Sequence, residues 1–292
     1  MMKYFNLHTH CNYCDGAGFP EEYVNAAIKK QFHTLGFSSH APVPFKNTFA
    51  IRDEQELQKY CDQIIHLKEI YKDKIDIYLG LELDYIEGIS GDFGKIKEKY
   101  GLDYTIGSVH LVRNGDDENL WFIDGPRVES YDEGLKSVFK GDVKQAVTTY
   151  YEQVKKMVVT QKPDILGHFD KIKMHNKDRY FKEDEAWYRD RVMDLLDAIS
   201  TTGVIPEVNT RGIYKKRSSD LYPGVWILKE MKKMNIPVIL STDAHHPVEI
   251  DGYFDETVGI LKEIGYNSLV CYNANGWQEL PIQIEYRPFA CS

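Results

Sequence analysis

The chain is short of several things, and each shortage excludes something. No apolar run approaches the ~18 residues of a membrane-spanning helix. The N-terminal stretch from Met1 to His8 has neither a long apolar core nor a cleavage-like site, so it does not read as a secretory signal. Cysteine is scarce and odd in number: Cys11, Cys14, Cys61, Cys271 and Cys291 are scattered, which gives no disulfide framework and points to a reduced, cytoplasmic setting. Cys11 and Cys14 form a C-x-x-C with no second pair to complete a zinc knuckle. Positive charge is in deficit, 36 Lys and Arg against 45 Asp and Glu for a net −9. A chain this acidic lacks the global attraction to phosphate backbones of a nucleic-acid binder, a local basic groove excepted. There is no repeat of about 20–50 residues and no low-complexity segment. There is also no G-x-S-x-G and no P-loop, so neither an elbow serine nor a phosphate-cradling glycine loop is available for catalysis.

What remains is an ordinary globular balance, 42% hydrophobic and 28% charged over 292 residues, with a recurring pattern of a short apolar run followed by an amphipathic stretch. The apolar runs are Tyr4–Leu7, Thr34–Ser38, Ile75–Leu83, Tyr104–Val109, Ile165–Gly167, Ile205–Val208, Val238–Leu240 and Ser268–Tyr272. Helical patterns lie between them. One is predicted from Pro20 to about Lys30, one over Asp53–Tyr71 with Asp53 as N-cap, and others over Phe93–Tyr100 and roughly Val143–Gln161. Three more cover roughly Glu183–Ser200, Val225–Met234 and Glu256–Ile264. Strand alternating with helix throughout implies parallel strands with crossover helices. Some seven or eight units fit a closed (β/α) barrel better than the alternative, a doubly wound sheet. Leu111–Gly141 breaks the rhythm, has no clear period and reads as a lid or insertion.

The ten histidines are unevenly placed. His8 and His10 end the first run, and His40, His110, His168 and His245 follow the second, fourth, fifth and seventh. Glu82 and Asp243 stand at the ends of the third and seventh, and Asp15 lies in the loop after the first. The C-terminal strand ends of a (β/α) barrel face one mouth, so residues from 8 to 245 can converge there. His8-Thr9-His10 puts two imidazoles on one strand face, which suits a divalent transition metal. Glu82 can bridge two ions through its two oxygens. Any one of these histidines alone reads as an ordinary hydrogen-bonded residue; six at successive strand ends do not. His33, His66, His175 and His246 keep the ordinary reading.

These pieces resemble the polymerase and histidinol phosphatase (PHP) family, in its stand-alone histidinol-phosphatase branch. The resemblance rests on Asn6-Leu7-His8-Thr9-His10, Cys14-Asp15-Gly16, Phe37-Ser38-Ser39-His40-Ala41-Pro42, Gly80-Leu81-Glu82-Leu83-Asp84 and Ile106-Gly107-Ser108-Val109-His110. It continues through Leu166-Gly167-His168-Phe169-Asp170, Glu207-Val208-Asn209-Thr210-Arg211-Gly212 and Ser241-Thr242-Asp243-Ala244-His245. The resemblance implies an α/β fold, a distorted (β/α)7 TIM-like barrel with its active site at the C-terminal strand ends. It would be one domain over residues 1–292 with the insertion at about 111–141.

It further implies three divalent ions, drawn from zinc, iron and manganese. His8, His10, Glu82 and Asp243 would hold the first; Glu82, His110 and His168 the second; Asp15, His40 and His245 the third. The implied reaction is hydrolysis of L-histidinol phosphate to L-histidinol and phosphate in histidine biosynthesis, by a metal-bridging hydroxide. His8, His10, Glu82 and Asp243 stand as the catalytic set. Arg211 is the candidate phosphate clamp, its fork suiting bidentate contact; the plainer alternative is a surface arginine in a loop beside Lys215, Lys216 and Arg217. Lys173 stands where relatives often carry arginine, and Asn209 is a further substrate contact. Glu207, Asn209 or an acid of the insertion could accept the amine and imidazole. The expected partner is a small phosphate ester, with no nucleic acid and no membrane. A family phosphoesterase acting on nucleotides or another small ester is the alternative, and a decayed, non-catalytic barrel a third reading that nine intact ligand positions oppose.

Overall fold

The computed structural model describes residues 4–115 and 119–282; Met1–Lys3 and Cys291 of the readings above lie outside them. Seven strands form one parallel sheet: β1 (Tyr4–Asn6), β2 (Phe32–Phe37), β3 (Asp76–Asp84), β4 (Tyr104–Ser108), β7 (Ile165–Leu166), β8 (Ile205–Asn209) and β9 (Ile239–Ser241). They are hydrogen-bonded in that order. A bridge between Thr9 and Ala244 brings the first strand beside the last. There the His10 N–H donates to Ala244 O at 2.8 Å and the Ala244 N–H to His8 O at 3.1 Å. The sheet is therefore a nearly closed barrel, joined at its ends within the segments that carry His8, His10 and Asp243.

The crossover helices are α1 (Pro20–Lys29), α2 (Glu54–Tyr71), α3 (Phe93–Tyr100), α4 (Val128–Phe139), α5 (Val143–Thr160), α6 (Ala186–Thr202), α7 (Arg211–Tyr214), α8 (Val225–Lys233) and α9 (Phe254–Ile264). Their starts follow local chemistry. Pro20 opens α1, where its missing N–H costs nothing. Asp53, Asp92 and Asp142 cap α2, α3 and α5 by accepting from Glu56, Lys95 and Gln145 N–H groups. Tyr104 fills the barrel interior beneath the site, donating its hydroxyl to Leu7 O at 2.5 Å. It fits only because β2 and β3 have Gly36 and Gly80 there: a Cβ would lie 2.3 Å and 2.5 Å from the Tyr104 ring system.

Two expectations are corrected. Ser268–Tyr272 is not an eighth barrel strand. It lies in β10 (Ser268–Asn273), which forms an antiparallel hairpin with β11 (Gly276–Pro281), because the Ala274-Asn275 turn returns the chain at once. The segment Leu111–Gly141 is not a bare loop. It contains an antiparallel pair, β5 (Leu111–Arg113) with β6 (Leu120–Phe122), and then α4. Strands of three residues are too short to show a period of two, but they still bury Val112 and Trp121. No helix among the described residues is long and apolar enough to cross a membrane.

Candidate metal centre

The strand ends converge on Glu82. This residue lies inside β3 and is 1% exposed. Its Oε2 is 3.2 Å from His8 Nε2, 3.2 Å from His10 Nε2 and 3.2 Å from His40 Nδ1. Its Oε1 is 3.1 Å from His168 Nε2 and 3.5 Å from His110 Nε2. Asp243 Oδ1 sits 3.4 Å from His10 Nε2 and 3.3 Å from His245 Nδ1. Asp15 Oδ1, on the loop after β1, is 3.3 Å from His245 Nε2 and 3.9 Å from His10 Nδ1. All nine residues expected as ligands are thus brought together.

Other residues aim these imidazoles. His8 Nδ1 is 2.6 Å from Glu207 Oε1, and His110 Nδ1 is 2.7 Å from Asp84 Oδ1. Such contacts fix which nitrogen faces the centre and raise its basicity as a ligand. His10 differs, its Nδ1 facing the thiol of Cys14 at 3.5 Å. Asp243 has φ 53°, an uncommon left-handed conformation for a non-glycine residue. Its carbonyl accepts from Arg211 Nη1 at 2.6 Å and is 3.0 Å from His245 Nδ1.

The electrostatics suit a cation. Burial opposes ionisation of Glu82, but His40, His8 and His110 hold its carboxyl well below the usual range. Asp243 behaves likewise under His8, Arg211 and Lys171. Burial, then His245 and His40, keep His10 far below the ordinary imidazole value and so neutral. Burial would also lower His8, yet the Glu207, Glu82 and Asp243 carboxylates hold it well above. Buried His10 Nε2, His40 Nδ1 and Glu82 Oε1 have no hydrogen-bond partner among the described residues, and His110 Nε2 and His168 Nε2 lie only 3.3 Å apart. Buried polar atoms left without partners are costly unless a positive ion sits among them. Four groupings place ligand atoms within 4.8 Å of one another: His10, Asp15, His40 and His245; His8, His10 and Asp243; His8, Glu82 and His168; His40, Glu82 and His110. The donor set of imidazole and carboxylate is that of a first-row divalent metal.

The centre opens into a cavity of about 250 Å³, bordered among others by Phe49, Phe122, Asp124, Lys171, Arg211 and Arg217. Here some sequence expectations need correction. Lys173 does not border it. Its Nζ is 2.7 Å from Asp170 Oδ2 and 3.7 Å from Glu183 Oε2, and it is buried. The 3₁₀ turn Lys171–Lys173 sends Lys171 toward the cavity instead, 2.8 Å from Asp124 Oδ2. Asn209 and Glu207 are fully buried and spent on each other and on their neighbours. Asn209 Nδ2 donates to Glu207 Oε2 at 3.1 Å, Glu207 Oε2 also accepts the His168 N–H at 2.9 Å, and Glu207 Oε1 accepts the Ser241 hydroxyl. Neither has an atom left for substrate. Arg211 does border the cavity, with its guanidinium tied to Asp243 O and 3.6 Å from Glu249 Oε2. Cys11 and Cys14 are free thiols, and burial pushes Cys11 up to about 11; a thiol so raised is a poor redox nucleophile.

Asp84, Lys171, Asp124 and Arg217 were missed. Asp84 was within reach, since it alternates with Glu82 on one strand face.

A family model for the PHP domain matches residues 6–211. The chain belongs to the PHP domain family. Its match spans β1 to the start of α7, and so takes in seven of the nine converging side chains. Among curated PHP relatives, the histidinol-phosphatase of Bacillus subtilis is 28% identical over 263 residues, 84% of this chain and 94% of that protein. The histidinol-phosphatase of Lactococcus lactis is 23% identical over 279 residues, 93% of this chain and 95% of that protein. Among solved PHP structures, a candidate histidinol phosphatase of Listeria monocytogenes superposes with a TM-score of 0.75 at 23% identity, over 86% of this chain and 99% of that one. The Lactococcus lactis enzyme, solved with zinc, L-histidinol and phosphate, gives 0.68 at 20% identity over 94% and 99%. These likenesses establish the fold as an α/β TIM-like barrel.

Proposed function

We propose that this chain is a metal-dependent histidinol-phosphatase, hydrolysing L-histidinol phosphate to L-histidinol and inorganic phosphate. The carrying observation is the convergence of six imidazoles and three carboxylates at the strand ends, with buried donor atoms left unpartnered. The relatives that this chain matches over most of their length, named histidinol-phosphatase, support the substrate. His8, His10, Glu82 and Asp243 would hold one ion, Glu82, His110 and His168 a second, and Asp15, His40 and His245 a third. Zinc, iron or manganese suits these donors. Bound there, such ions supply Lewis acidity and lower the pKa of coordinated water toward neutrality.

The chain's own residues do the rest. A phosphate monoester is a dianion whose charge repels a nucleophile, and its uncatalysed hydrolysis is among the slowest reactions known. Glu207 and Asp84 hold His8 and His110 in one orientation, so the donor set is preorganised rather than assembled on binding. Phe49 and Phe122, stacked with ring centroids 5.6 Å apart, give the cavity an apolar wall. Asp124 faces the cavity; burial opposes its ionisation, but Lys171 and His110 keep it charged, and its Oδ1, without a hydrogen-bond partner among the described residues, is an acceptor for the ammonium or imidazole of histidinol. At about 250 Å³ the cavity suits a small ester.

The test couples metal analysis of the purified protein to phosphate release from a panel of monoesters that includes histidinol phosphate. Metal at two or more ions per chain with histidinol phosphate as best substrate supports the reading. Activity on nucleotides alone, or activity that survives complete metal removal, overturns it.

A further inference from the structure

Three lysine and arginine side chains border the catalytic cavity: Lys171, Arg211 and Arg217. Two are already tied to neighbours. Lys171 Nζ lies 2.8 Å from Asp124 Oδ2 and 3.8 Å from Asp243 Oδ2. Arg211 is 8% exposed; its Nη1 donates to Asp243 O, and its Nε is 4.0 Å from Asp243 Oδ2. Arg217 is different. It is half-buried, and no ion pair or side-chain hydrogen bond joins it to any of the described residues. Its neighbour Lys215 is spent on Glu249 at 2.7 Å, and Lys216 is exposed.

The backbone holds Arg217 where it is. After α7 the chain passes through Lys216 in the left-handed region, φ 56°. The Arg217 and Ser218 N–H groups then both donate to Gly212 O, at 2.8 and 2.9 Å. Residue 212 must be glycine for this return, because a Cβ would stand 2.7 Å from the Tyr222 ring and 2.9 Å from Ser218 Cβ. The reversal sets Arg217 on the ridge between the catalytic cavity and a neighbouring groove, bordering both. A guanidinium kept there unpaired has five donors in a planar fork that matches two oxygens of a phosphate.

We propose that Arg217 is the specificity-determining cation that engages the phosphate group of the substrate. The inference rests on the phosphomonoesterase reading above and deepens it. It places the free positive charge on the rim, whereas Arg211 acts on Asp243. A dianionic monoester gains most from Arg217, a monoanionic diester less.

The experiment compares zinc-loaded wild type, Arg217→Ala and Arg217→Lys. Arg217→Ala should raise KM for the monoester by about 10- to 100-fold, the worth of a charge-assisted hydrogen-bond pair, with a much smaller change in kcat. The inhibition constant of inorganic phosphate should rise by the same factor, while bound zinc and melting temperature stay at wild-type values. Arg217→Lys should recover part of the loss, having the charge without the fork. Unchanged KM and phosphate inhibition in an active Arg217→Ala enzyme would overturn the role of Arg217 and leave the phosphatase reading standing. If wild type releases no phosphate from any monoester, the phosphatase reading fails. Calorimetric titration of zinc-loaded protein with inorganic phosphate then decides for Arg217 alone: equal affinities, or no binding at all, refute it.

Discussion

The floor and the rim of the cavity are built on opposite plans. On the floor, Glu82, His8, His10 and His168 are all but fully buried and stand in or directly after strands of the barrel. Carboxylates behind the centre aim its imidazoles, Glu207 behind His8 and Asp84 behind His110. On the rim, Phe49, Phe122, Asp124 and Arg217 sit on excursions between barrel strands, and among the described residues no side chain pairs with Arg217. The floor is over-determined and therefore suited to charge stabilisation, which needs fixed dipoles. The rim is under-determined and suited to telling one ester from another.

The floor then governs whether the reaction runs at all, and the rim how tightly the substrate is held. Removing metal with a chelator should abolish phosphate release and lower the melting temperature by about 5 °C or more, because bound ions stabilise only the folded state. Zinc should restore both, which calorimetry and activity can follow together. Next, Glu82→Gln removes the carboxylate on which five imidazoles converge. Activity should fall on the order of a thousandfold, with fewer ions per chain by elemental analysis; a fully loaded, active variant would break the assignment. Glu207→Gln leaves the ligand in place and loosens its support. Competition with a chromophoric chelator should show metal binding about 10- to 100-fold weaker. On the rim, Phe122→Ala should change KM by no more than roughly tenfold and leave metal content alone.

Lys173→Met is the smallest case for catalysis and a large one for folding. Breaking a buried ion pair costs about 3–5 kcal/mol, so denaturant midpoints should drop while KM stays. Asp170 adds a pH signature. Burial, opposed by Lys173, already raises its carboxyl to about 6. A raised carboxyl favours the protonated folded form, and removing Lys173 raises it further. The variant should therefore lose more stability, relative to wild type, at pH 8 than at pH 5. A KM increase at constant stability would return Lys173 to the cavity.

The same contrast explains what could be read from sequence. A strand presents alternate residues to one face and ends at a defined mouth, so His8-Thr9-His10 and the histidines after later apolar runs announce where they meet. Asp53 and Pro20 announce helix starts by local chemistry alone. The rim has no such rule. Whether Lys171 or Lys173 enters the cavity depends on one turn of 3₁₀ helix, and the direction of Arg217 depends on a left-handed Lys216 that its residue type does not favour. Ser268–Tyr272 has a strand's composition, and only the turn after it decides that its partner is the next strand rather than the barrel.

The Thr9–Ala244 bridge has a temporal consequence. His10 and Asp243 lie at opposite ends of the barrel's order, so the site is among the longest-range contacts the chain makes, and such contacts form late. A ribosome adding about 5–20 residues per second needs roughly ten seconds or more to go from one residue to the other. Until then the N-terminal imidazoles emerge without their carboxylate partner from β9. Uptake of metal by the complete set thus reports that the barrel has closed.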